Sequence, residues 1–497
     1  MPEHKSTHDL TTNNSALTPS DFLTSYDVLV VGAGPVGLAT AIGLRKRGIE
    51  KILVLDQTRA FRQVGQGLDL LPNGLQSLRY LDYDAYEAVK KASITFSNSQ
   101  PANQAQKPPD TLQKWHYRNL QGEIIRSISL SFDDWFQDYG EGRVSISWYN
   151  LQTALRNLLP QDQVKVNHRC INITDEPENG CVRIDCVSDT TLEANPYAYW
   201  NDPNSEKSEA DSPQSISKSF RAKIIVAADG INSTIRQVLY KDSHNQNFAI
   251  PEYSGFVAIS CRAIVDIPKE VQTELEEKFL HGSPIVTICH NEMSRTAVGD
   301  TQDTRILLFS RVSGQFGYVI HLPVALESIQ NKSGSSWIEL ALQTFEQAEF
   351  PHALKELVRL SPLENMEQRP YYVHRVTSTN ESPQIQPNWS AGRVVLVGDA
   401  AHGMPPFMAQ GANQGLEDAL IVATLIAKIA KDNHWQDRQA IETAFQKYES
   451  LRRPLMAYVQ QATLRRLPYS SDKDWEEYGQ QLYRRNFDQT LESLFIK

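Results

Sequence analysis

The chain has 497 residues, enough for two domains with sizeable cores. Its 40% hydrophobic and 22% charged content is that of an ordinary globular protein, and a net charge of -10 gives no overall basic excess for gripping a nucleic-acid backbone. The cysteines, Cys170, Cys181, Cys186, Cys261 and Cys289, form no C-x-x-C pair, which argues against a zinc site or disulfide framework and fits reduced thiols in the cytoplasm. No apolar run reaches the roughly 18 residues of a membrane helix, so no integral membrane segment is expected.

Residues 1–24 are polar and rich in Ser, Thr and Asn, the composition of a disordered leader. From Tyr26, YDVLVVGAG reads as an apolar strand running into glycines, VGLATAIGLRKRG as a helix closed by Gly48, and IEKILVLDQ as a second strand ending at Asp56. Together they make one βαβ unit. Gly32, Gly34 and Gly37 form G-x-G-x-x-G at the strand-to-helix junction, with Pro35 and Val36 starting the helix. Glycines there permit a tight turn and close approach to a pyrophosphate, helix N–H groups face its charge, and Asp56 stands where a carboxylate takes ribose hydroxyls. The unit predicts dinucleotide binding and by itself does not separate FAD from NAD(P).

PANQAQKPPD at 101–110 reads as a loop, and the polar stretch 195–219 as a solvated insertion between strands. IIVAADGINSTIR at 224–236 repeats the strand-into-small-residue design, with Asp229 and Gly230 at the turn, and Ser233 and Arg236 after it. Taken alone it is equally an Asp-Gly turn capping a helix and a ligand contact. Residues 250–375 are strand-rich with polar interruptions. RVVLV then leads into Gly398 and Asp399, with a helix predicted from near Gly415, and 434–497 is helical in pattern.

In this order GAGPVG with Asp56, AADGINSTIR and GDAAHGMPPFMAQGANQGLEDA, extended by GQGLDLLPNGLQSL and YESLRRPL, resemble the flavoprotein monooxygenases of the para-hydroxybenzoate hydroxylase type, the group A aromatic-ring hydroxylases. The resemblance spans about residues 26–460. It implies an α/β fold: a Rossmann-type FAD-binding domain in three parts, 26–100, 143–249 and 376–433, with an inserted mixed-sheet substrate domain at 250–375. Residues 101–142 would be a loop and an excursion into that substrate domain, and 434–497 a helical C-terminal region.

Carried over by position, the resemblance places Gly32, Gly34, Pro35, Val36, Gly37 and Asp56 at the adenosine end of FAD. Asp229 and Gly230 would support the pyrophosphate region, Asp399 the ribityl chain, and Pro406, Gly411, Ala412 and Asn413 the isoalloxazine ring. The helix after Asn413 would face negative charge on the reduced ring. Arg62 is read either as lying over the flavin or as a solvated arginine. Two positions depart from the family pattern: Trp148 stands where members often carry an FAD-contacting arginine, and Ala409 where the first glycine of G-Q-G is usual.

The implied activity is an FAD-dependent monooxygenase that consumes NADH or NADPH and O₂. It would hydroxylate or epoxidise a small, aromatic organic substrate through a flavin C4a-hydroperoxide. The alternatives are a flavin-dependent reductase or dehydrogenase of the same fold and a non-catalytic flavin-binding protein. Nucleic acid is not an expected partner, and a homodimer is left open. No H-E-x-x-H suggests a metal. Tyr253, His290, His321 and His374 are candidates for proton transfer by chemistry alone, while a packing role is favoured for His402 and for Met404, Phe407 and Met408.

Overall fold

The computed structural model describes residues 25–58, 67–94, 114–188, 216–241, 246–290, 303–310, 314–377, 387–464 and 471–495. The leader, Arg62, the loop 101–110 and most of the insertion 195–219 lie outside them. In chain order the first strands and helices are β1 (Ser25–Val31), α1 (Pro35–Lys46), β2 (Ile52–Leu55), β3 (Gly67–Leu70), α2 (Pro72–Leu81) and α3 (Tyr83–Ala92). There follow β4 (Lys114–Arg118), β5 (Ile124–Ser129), α4 (Phe132–Tyr139), β6 (Val144–Ser147) and α5 (Trp148–Arg156). The strands β7 (Val164–Lys165), β8 (Arg169–Glu176), β9 (Cys181–Ser188) and β10 (Ile216–Ala227) lead to α6 (Thr234–Tyr240).

The strand-rich stretch contains β11 (Glu252–Ile264), α7 (Lys269–Glu274), β12 (Ile285–Cys289), β13 (Arg305–Ser310), β14 (Phe316–Pro323), α8 (Ser336–Gln347), α9 (His352–Arg359) and β15 (Met366–Val373). The chain closes with β16 (Ser390–Ala391), β17 (Val394–Leu396), α10 (Asp399–His402), α11 (Gly411–Lys431), α12 (Arg438–Leu464), α13 (Asp472–Leu482) and α14 (Phe487–Ser493).

Two sheets organise these elements. In the first, β17, β10, β1, β2 and β7 run parallel in that spatial order. Their central residues Val28–Val30, Ile52–Leu55, Ile224–Ala227 and Val394–Leu396 are buried, as a parallel sheet covered on both faces requires. The long β10 serves three partners: its first half pairs antiparallel with β9, and its second half runs parallel to β1 on one side and β17 on the other and ends at the Asp229 turn.

The second sheet has the order β15-β11-β14-β13-β12-β4-β5, so residues 114–129 supply two strands to a sheet whose other five come from 252–373. Alternation sorts its two faces. Val257, Ile259, Cys261, Ile306, Leu308, Tyr318, Ile320 and Leu322 form one core with α8 and α9. Phe256, Ala258 and Tyr371 point the other way and meet Val319 and Phe407. That second face looks toward the turn before α11, and it positions the site.

The helix α11 begins at Gly411 and not near Gly415. Gln410 already supplies the first carbonyl, accepting Gln414 N–H at 2.8 Å. A glycine in the first turn sacrifices no intrahelical donor, since those N–H groups have no partner in any helix. The C-terminal helices pack inward: Tyr483 meets Trp135 and Tyr139 at ring centroid distances of 5.4 and 5.2 Å. No helix among the described residues is long and apolar enough to cross a membrane.

Candidate active site

The glycines after β1 have different duties. A Cβ on Gly32, which has φ +101°, would collide with the Ala228 carbonyl, and one on Gly37 with the Gly32 carbonyl. These two glycines let β1, α1 and the end of β10 close on one another. Gly34 is otherwise placed: the nearest atom to an added Cβ is Trp148 Cζ2 at 4.0 Å. It is also the N-cap of α1 with no side-chain cap, followed by Pro35. The first-turn N–H groups of α1 are thus left for an anion.

Asp56 braces this turn. Its Oδ2 accepts Ala33 N–H at 2.6 Å, and its Oδ1 accepts the N–H of Thr58 at 2.7 Å and the Thr58 hydroxyl. A carboxylate has about four acceptor positions, so roughly one remains for a ribose hydroxyl. From α5, Gln152 Nε2 donates to the Ala33 carbonyl at 2.7 Å.

The second turn is a cap that also holds the third. Asp229 Oδ1 accepts the Ser233 hydroxyl at 2.6 Å and Oδ2 accepts Ile235 N–H at 3.2 Å. Burial raises the Asp229 pKa against these hydrogen bonds. Gly230, at φ +79°, has nothing within 4 Å of an added Cβ and leaves the turn open beside it. From α6, Arg236 donates to the carbonyls of Ala400 at 2.9 Å, Ala401 at 3.0 Å and Phe248 at 2.6 Å. Desolvation brings its pKa down to about 10.

The third turn is fixed by a buried charge cluster that sequence reasoning missed. Asp418 Oδ2 accepts Gly398 N–H at 2.9 Å and pairs with His402 Nε2 at 2.6 Å, while its Oδ1 pairs with Arg452 Nε at 2.7 Å. Glu417 pairs with Arg452 at 2.6 Å and with both terminal nitrogens of Arg485. Burial alone would raise the Asp418 pKa; His402 and Arg452 outweigh it and hold it at about 2. The available signal was two adjacent acids in an otherwise apolar helix, GLEDALIVATLIA, with YESLRRPL downstream to neutralise them.

Asp399 differs from Asp418. It is exposed, between buried Gly398 and buried Ala400, and its Oδ1 lies 3.7 Å from a Cβ built on Gly411. Although reachable by water, the carboxyl sits in a recess where desolvation raises its pKa, opposed by His402 and Arg369. Beside it α11 starts without a side-chain cap, leaving the N–H groups of Gly411, Ala412 and Asn413 with no intrahelical acceptor.

The Asn413 side chain is a tether. Its Oδ1 accepts Leu71 N–H at 2.9 Å, and its Nδ2 donates to the carbonyls of Asp69 at 2.9 Å and Ala409 at 2.6 Å. Gly74 is needed for this approach, because a Cβ there would collide with Asn413 Oδ1. The segment GLDLLPNG is therefore gripped by α11, and only the backbone of Asn413 is left for a ligand.

Phe407, next to the exposed Pro406, joins the turn to the second sheet. Its ring meets Phe256 at 5.2 Å, His321 at 5.3 Å and Tyr371 at 5.6 Å, and the Arg305 guanidinium lies over it at 3.9 Å. His321 Nδ1 receives the Arg305 Nε–H at 3.2 Å. Burial and the Arg305 charge push the His321 pKa well down, so it is neutral.

The other proton-transfer candidates are engaged elsewhere. The Tyr253 hydroxyl donates to the Val324 carbonyl at 2.9 Å and its ring packs with the helix-side core, where burial raises its pKa. His290 Nε2 meets the Ala348 carbonyl at 2.7 Å beside Phe350. His374 Nε2 meets the Ile231 carbonyl at 2.8 Å, and burial lowers its pKa to about 3. These contacts tie the side chains of Tyr253, His290 and His374 to backbone carbonyls.

The family model described as FAD binding domain matches residues 25–91 and 344–463, the segments holding the first and third turns. The 6-hydroxynicotinate 3-monooxygenase of Pseudomonas fluorescens is 25% identical over 443 residues, 87% of this chain and 89% of that protein. Among solved structures, Klebsiella pneumoniae HpxO complexed with FAD and uric acid is similar with a TM-score of 0.57 and 16% identity over 95% of this chain and 96% of that one. A salicylate hydroxylase substrate complex is similar with a TM-score of 0.60 and 18% identity over 95% of this chain and 97% of that one. The structural likenesses show a shared fold.

Proposed function

We propose that the chain is a group A FAD-dependent monooxygenase that hydroxylates a small aromatic substrate with O₂ at the expense of NADH or NADPH. The observation that supports this most is the convergence of two uncapped helix N-termini. Val36 of α1 packs against Gly398 and Gly415, bringing the start of α1 beside the first turns of α11, and Asp399 lies next to Gly398 and near Gly411.

The residues present fit FAD. Gly34 leaves the backbone of the first turn approachable, as a pyrophosphate needs, and the first turn of α1 offers donors without a competing side chain. In this reading Gly32, Gly34, Pro35, Val36, Gly37 and Asp56 hold the adenosine end. Asp229 and Gly230 support the pyrophosphate region, Asp399 takes ribityl hydroxyls, and Pro406 with the backbone of Gly411, Ala412 and Asn413 borders the ring.

Bound there, FAD supplies acceptance of a hydride from NAD(P)H and reaction with O₂ to deliver one oxygen atom. The chain's own work is positioning and exclusion. The N-terminal dipole of α11 is a preorganised counter-charge that needs no rearrangement. Phe256, Tyr371 and Phe407 wall the space between sheet and turn with apolar surface, which keeps water from the reacting centre.

The test is a substrate screen on the purified, FAD-loaded chain, following NAD(P)H loss, O₂ uptake and hydrogen peroxide together. Substrate-dependent NAD(P)H loss matched by O₂, with little peroxide, is the expected result. NAD(P)H oxidation that proceeds unchanged without oxygen would indicate a reductase and refute the proposal.

A further inference from the structure

We propose that Cys170 and Cys186 form an oxidative modification site: hydrogen peroxide converts the buried dithiol to a disulfide that staples β8 to β9 and steadies the wall of the adenosine site. The disulfide stands on the thiols alone. The effect on the cofactor rests on the reading of the chain as an FAD-dependent monooxygenase, and adds to it a response to that chemistry's own side product.

Strand register makes the pair. Cys170 of β8 stands directly opposite Cys186 of β9, and their Sγ atoms lie 3.3 Å apart with both residues buried. Opposed residues of an antiparallel ladder have Cα atoms about 4.5–5.5 Å apart, inside the roughly 4.4–6.8 Å span of disulfides, so about 1.3 Å of closure between the sulfurs completes the bond. A bulge follows at once, between Cys170 and Asn172, and adds local twist that helps the sulfurs reach a dihedral of roughly 90°. The other three cysteines make oxygen contacts: Cys181 with Glu176 at 3.6 Å, and Cys261 and Cys289 with the carbonyls of Ala263 and Arg118 at 3.7 and 3.8 Å.

Among the described strands β8 pairs with β9 alone, which makes it an edge. Exposed Arg169 and Ile171 flank Cys170, so local opening of this strand end brings the thiol to solvent. The contact with Cys186 and burial push the Cys170 thiol well above its ordinary range, so the resting pair is a dithiol that reacts slowly. Hydrogen peroxide is small enough to enter. It is also what the proposed chemistry yields when O₂ takes electrons from NAD(P)H with no substrate to oxygenate.

The Cys170 thiolate, formed on opening, attacks one peroxide oxygen; the O–O bond breaks, leaving a sulfenic acid and hydroxide, which takes up the released thiol proton as water. The Cys186 thiol then attacks the sulfenic sulfur. The S–S bond forms, the S–O bond breaks, and the departing oxygen leaves with the Cys186 proton as a second water. Two thiols lose two electrons, and one peroxide gains them.

The staple acts on the cofactor site through backbone. Just before Cys170, Asp56 N–H donates to the Lys165 carbonyl at 2.9 Å, Asn167 N–H to the Thr58 carbonyl at 2.7 Å and His168 N–H to the Asp56 carbonyl at 2.7 Å. The segment bearing the Asp56 carboxylate is thus laced to the start of β8, and α6, which follows the Asp229 turn, packs against the same strand. Joining β8 to β9 suppresses opening of this strand end and holds Asp56 in place for a ribose.

The test treats the purified, FAD-loaded full chain with hydrogen peroxide and compares it with untreated protein. Peptide mapping without reduction should show a Cys170–Cys186 linkage, and the thiols counted in denaturant should fall by two. The melting temperature should rise by about 5 °C, and FAD release on dilution should slow by about threefold. Dithiothreitol should reverse both changes, which separates them from methionine oxidation, and neither should occur in Cys186→Ser.

Peroxide that leaves both thiols free, or oxidises them separately to sulfinic acids, overturns the inference whether or not the variant folds. A linkage with unchanged melting and unchanged flavin release overturns the stapling role. Each of these results leaves the monooxygenase reading standing. Failure of the chain to bind FAD at all would bring down that reading and the effect on the cofactor, while the linkage would still decide the disulfide.

Discussion

Val36 of α1 and Gly415 of α11 are in such close contact that a Cβ on the glycine would collide with Val36 Cγ2. Valine is stiff about χ1, and Gly398 Cα lies 3.5 Å from the same Cβ position, so the neighbours have little room to move. Gly415→Ala would gain helix propensity of up to about 1 kcal/mol, but overpacking costs about 1–3 kcal/mol and should win. The variant is expected to melt at lower temperature and to purify with less FAD. An unchanged melting temperature with full flavin occupancy would show that the two helices tolerate separation.

Acid should weaken the clamp around Asp418. Its folded pKa, about 2, lies below the unfolded value of about 3.9, so its stabilising contribution is present above roughly pH 4 and is lost as pH falls toward 2. Asp418→Asn removes the charge facing His402 and Arg452 at every pH and should cost about 3–5 kcal/mol at neutrality, as breaking a buried ion pair does. Urea unfolding of both proteins from pH 7 down to pH 3 checks this. The gap between them should narrow as pH falls, and a gap constant across that range would contradict the assignment.

Two of the three carboxylates named from the motifs, Asp399 and Asp229, should separate by phenotype. Asp399 is exposed and next to the start of α11, so Asp399→Ala should change stability by less than about 0.5 kcal/mol yet weaken FAD retention about tenfold. Asp229 is committed to Ser233 and the N-terminus of α6, so Asp229→Ala should cost about 1 kcal/mol of stability. Flavin released on dilution and thermal melts distinguish the two. Equal loss of flavin with no difference in melting would merge roles that the geometry keeps apart.

Local spacing made much of this legible before any coordinates. The strand-turn-helix around Gly32, Gly34 and Gly37 and the turn at Gly398 and Asp399 are short-range patterns, each set within one element junction. Links between distant segments were not legible. Nothing near Asn413 announces that its amide bonds Leu71 and Asp69, and nothing near Asp418 names Arg452 as its partner. The pairing of Arg305 with His321 depends on antiparallel register, which the alternation in a single strand does not reveal. The same limit left Tyr253 and His290 as equals of His321 until the faces of the sheet were sorted.

Ala409, one of the two departures from the family pattern, has a backbone cost. It occupies the left-handed region at φ +53°, closing the short turn Pro406–Met408, with its N–H donated to the Pro406 carbonyl at 3.0 Å. A non-glycine residue there costs about 1–2 kcal/mol, and glycine avoids that cost but loses about 0.5–1 kcal/mol of entropy on folding. The steric term is the larger, so Ala409→Gly should raise stability by about 0.5 kcal/mol. The methyl group has a second effect, because Ala409 is half-buried between Phe407 and the start of α11 and its carbonyl accepts from Asn413. Glycine would free this segment without breaking that bond, so FAD retention should be unchanged within about twofold. Denaturant unfolding and flavin release of the variant decide the matter; a loss of stability would mean that the Ala409 methyl contributes packing worth more than its strain.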